Sequence, residues 1–327
     1  MSLQKDKIPL TYRKETFEIV HHTYVCKDSK EQFTTAELDH INQIQVHNQY
    51  RTKYGIPFPK EIKNIRTKYG ISASKMSEIL GFGANSYRLY ESGDMPSVSN
   101  GRLIRTVNEP EEFIKQVQAS APVLGEKETT KLLGFGEKAK KKYKKDLWDQ
   151  LFLEQNLFFE APNAFTGYVI PDFDKIAQVI AFLDKQLKNL YKTKLNKLLF
   201  YCDFEAYRKT GFSITGLSYR AIPFGPVPAD YDKVFLRLND DGKIEINEIA
   251  FDNGHYGEVI RAKDSLQETT LSDDQIAILK TVVKKFKKAS SKDLVEISHK
   301  ELAWIENHEE RRTISYQEYA FSLNIEY

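Results

Sequence analysis

The chain is poor in cysteine, with only Cys26 and Cys202 among its 327 residues. Two cysteines exclude a disulfide framework and a four-cysteine zinc site. No apolar run approaches the roughly 18 residues that a membrane-spanning helix requires, and Met1–Leu10 lacks the apolar core of a signal peptide. The cytoplasm is therefore the expected compartment, with no membrane partner. Also missing are the P-loop, HExxH, GxSxG and GxGxxG patterns, so the common phosphate-cradling, zinc-protease, serine-hydrolase and dinucleotide signatures do not apply. What remains is 41% hydrophobic and 29% charged, with a net charge of +2. Such a chain can bury real cores, and its length suggests two or three domains.

The charge is unevenly spread. Lys60–Val107 holds eight Lys or Arg against four Asp or Glu, and Lys138–Lys145 is a second basic run. Basic excess of this kind suits a polyanion-binding face, although a run of lysines also reads simply as solvated surface.

The chain can be parsed from its N-terminus. Phe17–Val20 and Thr23–Cys26 are strand-like. Thr34 or Thr35 can cap a helix reaching about Arg51. Gly55-Ile56-Pro57-Phe58-Pro59 breaks it, because proline disfavours helix for itself and the preceding residue. Four short helix signals follow up to Val107, then a helical Phe113–Gln118 and a turn at Pro122–Gly125. Residues 119–171 read as a basic helical connector. Beyond Asp172 come helices over 172–190 and 192–209, a Gly-rich irregular patch at 211–230 and a helix near 229–238. A β-like stretch over 243–262 and helices over 272–288 and 290–298 complete the order. The fold expected is mainly α, with a small N-terminal α+β segment (1–56), an XRE-like helix-turn-helix (57–118), and a predominantly helical α+β domain with a small sheet (172–327). Leu80-Gly81-Phe82-Gly83 recurs as Leu133-Gly134-Phe135-Gly136; duplication and coincidence are both open, and the poor agreement of the flanks favours coincidence.

Between Ile62 and Val107 the pattern is that of a helix-turn-helix. Ile62, Ile65 and Tyr69 share one face, and Gly70 ends that helix. Ser72 can cap the next, which buries Met76, Ile79 and Leu80. Gly81-Phe82-Gly83 makes the tight turn. Ala84–Glu91 is the second helix of the motif, with Tyr87 and Tyr90 inward, and Ser99 is a candidate cap for a fourth. This geometry turns the start of Ala84–Glu91 toward a major groove. Asn85 is the base reader, because an amide can pair bidentately with adenine; Ser86 and Arg88 support it. Arg66, Ser72, Ser74 and Lys75 are placed for phosphates.

On Gly83-Ala84-Asn85-Ser86-Tyr87, Tyr90-Glu91-Ser92-Gly93 and Leu103-Ile104-Arg105, the segment Tyr24–Val117 resembles the antitoxin MqsA and its relatives. The resemblance implies a dimer that represses its own operon by binding a double-stranded operator, with Asn85 reading bases. A second base-reading Arg of that family corresponds here to Leu89, so operator sequence does not carry over. The family's zinc domain uses paired cysteines; here Cys26 is followed by Asp28 and Ser29, and His21 and His22 point to opposite faces of a strand. Without the four ligands zinc needs, a metal-free remnant is expected, and no cofactor.

Further on, Leu195–Phe204 is a strongly apolar helix whose Leu195, Leu198, Leu199 and Cys202 fit a core face. Gly211, Ile214-Thr215-Gly216, Tyr219-Arg220-Ala221 and Phe224-Gly225-Pro226-Val227-Pro228 follow as a compact motif, with Gly before Pro reading as a fixed turn. Ser298-His299-Lys300-Glu301 and Trp304 come later. On these landmarks Asp172–Tyr327 resembles the Panacea (SocA-like) domain. That resemblance implies an antitoxin that binds and neutralises a cognate protein toxin, in the founding type with a protease as further partner. Thr215, Tyr219, Arg220, Phe224 and Tyr231 are the expected toxin contacts, since Tyr, Phe and Arg make hot spots; a purely structural turn is the competing reading. Cys202, Asp203, Glu205, His255 and His299 supply acid–base and nucleophile types, but such work needs them converged within hydrogen-bond reach. No catalytic role is expected. A ligand-sensing repressor without a toxin, and a DNA-processing enzyme, are the alternatives.

Overall fold

The computed structural model describes residues 1–159, 161–250, 256–263 and 270–324, with the backbone alone for 144–146. It is mainly helical, with three small antiparallel sheets among the described residues. Contacts divide it into two compact units, Met1–Val46 with Asn156–Tyr327, and His47–Gln155. The N-terminal segment thus clusters with the distant C-terminal half, and much of the expected connector lies in the second unit.

The chain opens with a hairpin of β1 (Ser2–Tyr12) and β2 (Glu15–Val25), to which β3 (Gln32–Phe33) adds. Arg13 and Lys14 form its turn, both at positive φ (48° and 69°). Two such residues give the primed turn that matches strand twist, here without the usual Asn or Gly. The sequence reading missed β1 because its residues are almost all solvent-facing, and Pro9 interrupts it. β2 buries Phe17, Ile19, Val20 and His22.

Helix α1 (Ala36–Tyr54) is capped by Thr35, whose Oγ1 accepts from the Leu38 amide. It crosses from the first unit into the second. On its first part, Asn42 and Gln45 reach β2: Asn42 bonds the His22 backbone through both amide atoms, and Gln45 does the same at Val20. These bonds complete the exposed side of a strand that would otherwise be a free edge.

The unit His47–Gln155 continues with α2 (Pro59–Lys68), α3 (Ala73–Ile79), α4 (Ser86–Glu91), α5 (Val98–Thr106), α6 (Pro110–Ala119), α7 (Ala121–Leu124) and α8 (Glu126–Asn156), which ends just past it. Pro59 and Pro110 sit at first helical positions, where the missing N–H costs nothing. Ser72 caps α3, as expected; the cap of α5 is Ser97 rather than Ser99. The core joins Ile62, Ile65, Tyr69, Met76, Ile79, Tyr87, Ile104, Val107, Phe113 and Val117, with Tyr69 and Phe113 stacked at 3.7 Å. Arg51 is buried and donates to the carbonyls of Pro57, Gly93 and Asp94. Residues 121–124 are a short helix, not a turn. The two Leu-Gly-Phe-Gly copies differ in conformation: 80–83 turns at Gly81 (φ 67°), whereas 133–136 lies inside the continuous α8.

In the other unit, α9 (Phe173–Gln186) is capped by Asp172 and leads to α10 (Lys192–Thr210), which ends on Gly211 at φ 75°. Every residue of α10 from Lys194 to Tyr207 is buried. Around it lie the β4 (Tyr219–Ile222) and β5 (Gly225–Pro228) hairpin, α11 (Tyr231–Asp240), the β6 (Ile244–Ala250) and β7 (Tyr256–Ala262) pair, α12 (Asp273–Phe286), α13 (Ser291–Ser298), α14 (Leu302–Ile305), β8 (Thr313–Ile314) and α15 (Tyr316–Tyr319). The sheet order is β5-β4-β8. Ser272 and Ser290 form capping boxes on α12 and α13.

Candidate nucleic-acid and partner-binding surfaces

In the helical unit, α3 and α4 are joined by Leu80–Asn85. The second helix starts at Ser86, two residues later than expected, so Asn85 is its N-cap residue. Its amide makes no capping bond and is exposed. Instead the buried Ser77 hydroxyl of α3 accepts from the Tyr87 amide at 3.1 Å, satisfying one of the free donors at the start of α4. Tyr87 is buried, donating to the Ile62 carbonyl at 2.9 Å, and Tyr90 is half-buried against Phe82. With these two facing inward, Arg88 and Leu89 face solvent and Ser86 is half-exposed.

Of the residues expected at phosphates, Ser72 and Ser74 are exposed at the start of α3, and Lys75 is half-exposed beside Glu78 at 2.6 Å. Ser72 Oγ accepts from the Lys75 amide. Arg66 is different. Its guanidinium is held by both oxygens of Glu91 (2.6 and 3.0 Å) and donates to the Ile71 carbonyl at 2.8 Å. That pairing pushes its pKa up. It ties α2 to α4 with three of its five N–H donors, a structural engagement that competes with the phosphate role expected of it. An i,i+4 pattern cannot reveal this, because Glu91 is 25 positions away.

At the N-terminus, His22 faces Asn42 and packs its ring on Phe321 at 4.7 Å. Burial drives its pKa down to about 4. Cys26 is a half-exposed free thiol. Among the described residues no three His, Cys, Asp or Glu are grouped to hold a metal ion.

The motif after α10 is organised by Asp203, which is wholly buried. Its carboxylate accepts from the amides of Ile214 (2.8 Å) and Thr215 (2.9 Å), from the Thr215 hydroxyl and from the Tyr219 hydroxyl (2.8 Å). Burial raises its pKa against the pull of these donors. Thr215 and Tyr219 are therefore inside the fold, both without exposed surface, and the reading of them as toxin contacts is replaced by a structural one. Arg220 and Phe224 are exposed, Phe224 at 68%. Tyr231 is half-buried, with the Lys192 ammonium 5.4 Å over its ring. Strand alternation explains the split: Tyr219 and Ala221 face the core, and Arg220 faces out.

Among the described residues, the acid–base and nucleophile types have separate partners. Cys202 is buried, its thiol pKa pushed up by desolvation. Glu205 pairs with Arg208 at 2.6 Å and with Lys209 at 3.3 Å. His299 stacks on Trp304, which stacks on His308, at 3.9 and 4.1 Å. Trp304 in turn donates to the Ile222 carbonyl. Glu301 accepts from the Tyr201 hydroxyl and the Asn324 amide. His255 lies outside the described residues. Lys197, which no pattern singled out, is buried on α10; its ammonium donates to the Pro226 carbonyl at 3.1 Å, and desolvation lowers its pKa to about 7. Gly225 makes this possible. A Cβ there would lie 2.4 Å from Ser298 Oγ and 2.8 Å from Lys197 Cε.

Beside Arg220 the structure opens a groove of about 350 Å3, lined among others by Phe158, Phe165, Leu217, Arg220, Asp230 and Thr313. Sequence reasoning did not single out Phe158 or Phe165. The available signal was Leu157-Phe158-Phe159, an apolar triplet outside any amphipathic helix.

No curated protein and no solved structure matches the chain. Residues 195–305, from α10 through α14, match the family model described as Antitoxin SocA-like, Panacea domain.

Proposed function

We propose that the chain is an antitoxin with two working surfaces: one that binds and neutralises a partner toxin, and one that binds operator DNA and represses the operon. The observation that carries the first part is the family match over 195–305, which coincides with the body built around α10. Arg220 and Phe224 stay exposed there while Asp203, Thr215 and Tyr219 hold the backbone that presents them. Neutralisation in this reading is stoichiometric masking, with no chemical step and no cofactor.

The DNA arm is α3, its turn and α4 acting as a helix-turn-helix. Its support is that Tyr87 is buried while Asn85 and Arg88 are exposed at the start of α4, the disposition major-groove reading requires. Ser72, Ser74 and Lys75 would meet phosphates. A palindromic operator would require a homodimer, and the likeness to MqsA read from the sequence adds to this arm.

The test is co-expression with the toxin-sized reading frame next to the gene, with growth and co-purification as readouts, together with footprinting of the upstream DNA. Rescue with a complex supports the first arm, and a protected operator supports the second. Failure of both leaves neither.

A further inference from the structure

The groove beside Arg220 has features that specify an occupant. Gly216, Leu217 and Ser218 line it on one side, and Asn163, Phe165, Thr166 and Pro171 form a wall. That wall is pinned in place. The Phe165 amide donates to Asn163 Oδ1 at 2.8 Å, the Ser213 hydroxyl donates to the Thr166 carbonyl at 2.8 Å, and the Tyr316 amide donates to the Ala164 carbonyl at 2.9 Å. Gly216, at φ 80°, lies so close to the wall that a Cβ would stand 2.7 Å from Ile170 C and Pro171 N. A wall fixed this way loses little freedom when something binds.

The rim is apolar and open. Phe158 is 76% exposed and Phe165 44%. Rings this exposed at the mouth of a groove suit a protein surface, which can cover them. The charge is asymmetric. Asp230 is paired with Lys233 at 3.1 Å, and Lys233 also lies 5.3 Å over the Phe158 ring. Arg220 stands in the row Val227–Arg220–Thr313 across the outer face of the sheet, and among the described residues it has no ion-pair or side-chain hydrogen-bond partner. An exposed guanidinium with no partner among the described residues, set in an aromatic groove, matches a carboxylate carried next to a large apolar side chain.

We propose that this groove is the docking site for a segment of the partner toxin in which an Asp or Glu adjoins a Phe, Leu, Ile or Trp, the carboxylate meeting Arg220 and the apolar side chain lying between Phe158 and Phe165. The identity of the partner as a toxin rests on the reading above; the chemistry of the groove does not.

The probe is a displayed library of short random peptides, panned on the whole chain as wild type, Arg220→Glu and Phe158→Ser. Both substituted side chains are at the surface, and matched melting curves establish that the variants fold. The expected result is a consensus with an acid beside a large apolar residue on the wild type. A synthetic peptide of that consensus should bind Arg220→Glu about tenfold to a hundredfold more weakly, and Arg220→Lys should restore part of the loss. A consensus without an acid, binding indifferent to Arg220, or no consensus would overturn the proposal. Growth rescue separates the two readings. If wild type neutralises the adjacent toxin and Arg220→Glu does so equally well, the groove is wrong and the antitoxin reading stands. If wild type fails to neutralise while the acidic consensus holds, the groove stands and the toxin is the wrong partner.

Discussion

The α3–α4 pair and α10 handle polar residues in opposite ways. In His47–Gln155 the core is a set of aliphatic and aromatic side chains from short helices, and the polar residues of α3 and α4 mostly face out. In the other unit a single helix, α10, buries Lys194, Asn196, Lys197, Asp203 and Glu205. Burying such groups is costly unless each is bonded, and Asp203 shows the solution: one carboxylate with four donors fixes the whole Ile214–Tyr219 turn. A polar residue on the outer side of α3 or α4 is thus open to a ligand, while the same residue type on α10 is more often part of the frame.

The largest expected effect breaks that frame. Asp203→Ala leaves two amides and two hydroxyls buried without an acceptor and should cost about 3–5 kcal/mol. Denaturation followed by Trp304 fluorescence in a Trp148→Phe background reads this unit alone; a loss below about 1 kcal/mol would show that the network is dispensable.

Asn85→Ala probes the outward-facing side. Its amide makes no capping bond, so the melting temperature should stay unchanged while operator binding weakens by about 1–3 kcal/mol. Equal operator affinity in a footprint titration would remove α4 as the reading helix. Lys75→Ala should instead lower the salt dependence of binding by about one counterion.

A smaller effect concerns pH. His22 is held neutral by burial, its folded pKa about 4 against an ordinary 6.5. A depressed histidine favours the fold in full above its unfolded pKa and loses that contribution progressively as pH falls from about 6.5 toward 4. Urea titrations of wild type and His22→Phe should diverge over that window and run parallel above it. Parallel curves throughout would mean that the ring titrates as in solvent.

The smallest effect is at Leu89, 45% exposed on α4. Leu89→Arg should leave stability within about 0.5 kcal/mol and raise affinity for DNA of any sequence, measured as a steeper salt dependence.

The same contrast explains what the sequence made legible. Helix order, the break at Gly55–Pro59, the Ser72 cap and the buried faces of α2 and α3 follow from apolar spacing and local capping, both of which act within a few residues. Apolar spacing also identified α10 as core. It could not show that Lys197 and Asp203 belong inside, because their partners, Pro226 and Ile214–Tyr219, come from later turns. Arg66 and Glu91, or Asn42 and His22, are likewise joined by tertiary structure. β1 was illegible for another reason: an exposed strand satisfied by its neighbour carries no apolar alternation. On the candidate surfaces, Asn85, Arg88, Arg220 and Phe224 lie exposed, whereas Thr215 and Tyr219, chosen as hot-spot types from a motif, are frame. Residue type alone cannot separate a contact from a support.

The central claim is that one chain joins toxin masking to DNA binding. Its most direct test is growth of cells expressing the adjacent toxin-sized reading frame, with the wild-type chain or with Arg220→Glu supplied together with it. The two-arm reading predicts rescue by the wild type with a stable co-purified complex, and rescue by Asn85→Ala as well; the Arg220 groove adds the prediction that Arg220→Glu loses both. Toxicity that the wild-type chain leaves unchanged, with no complex formed, would contradict it.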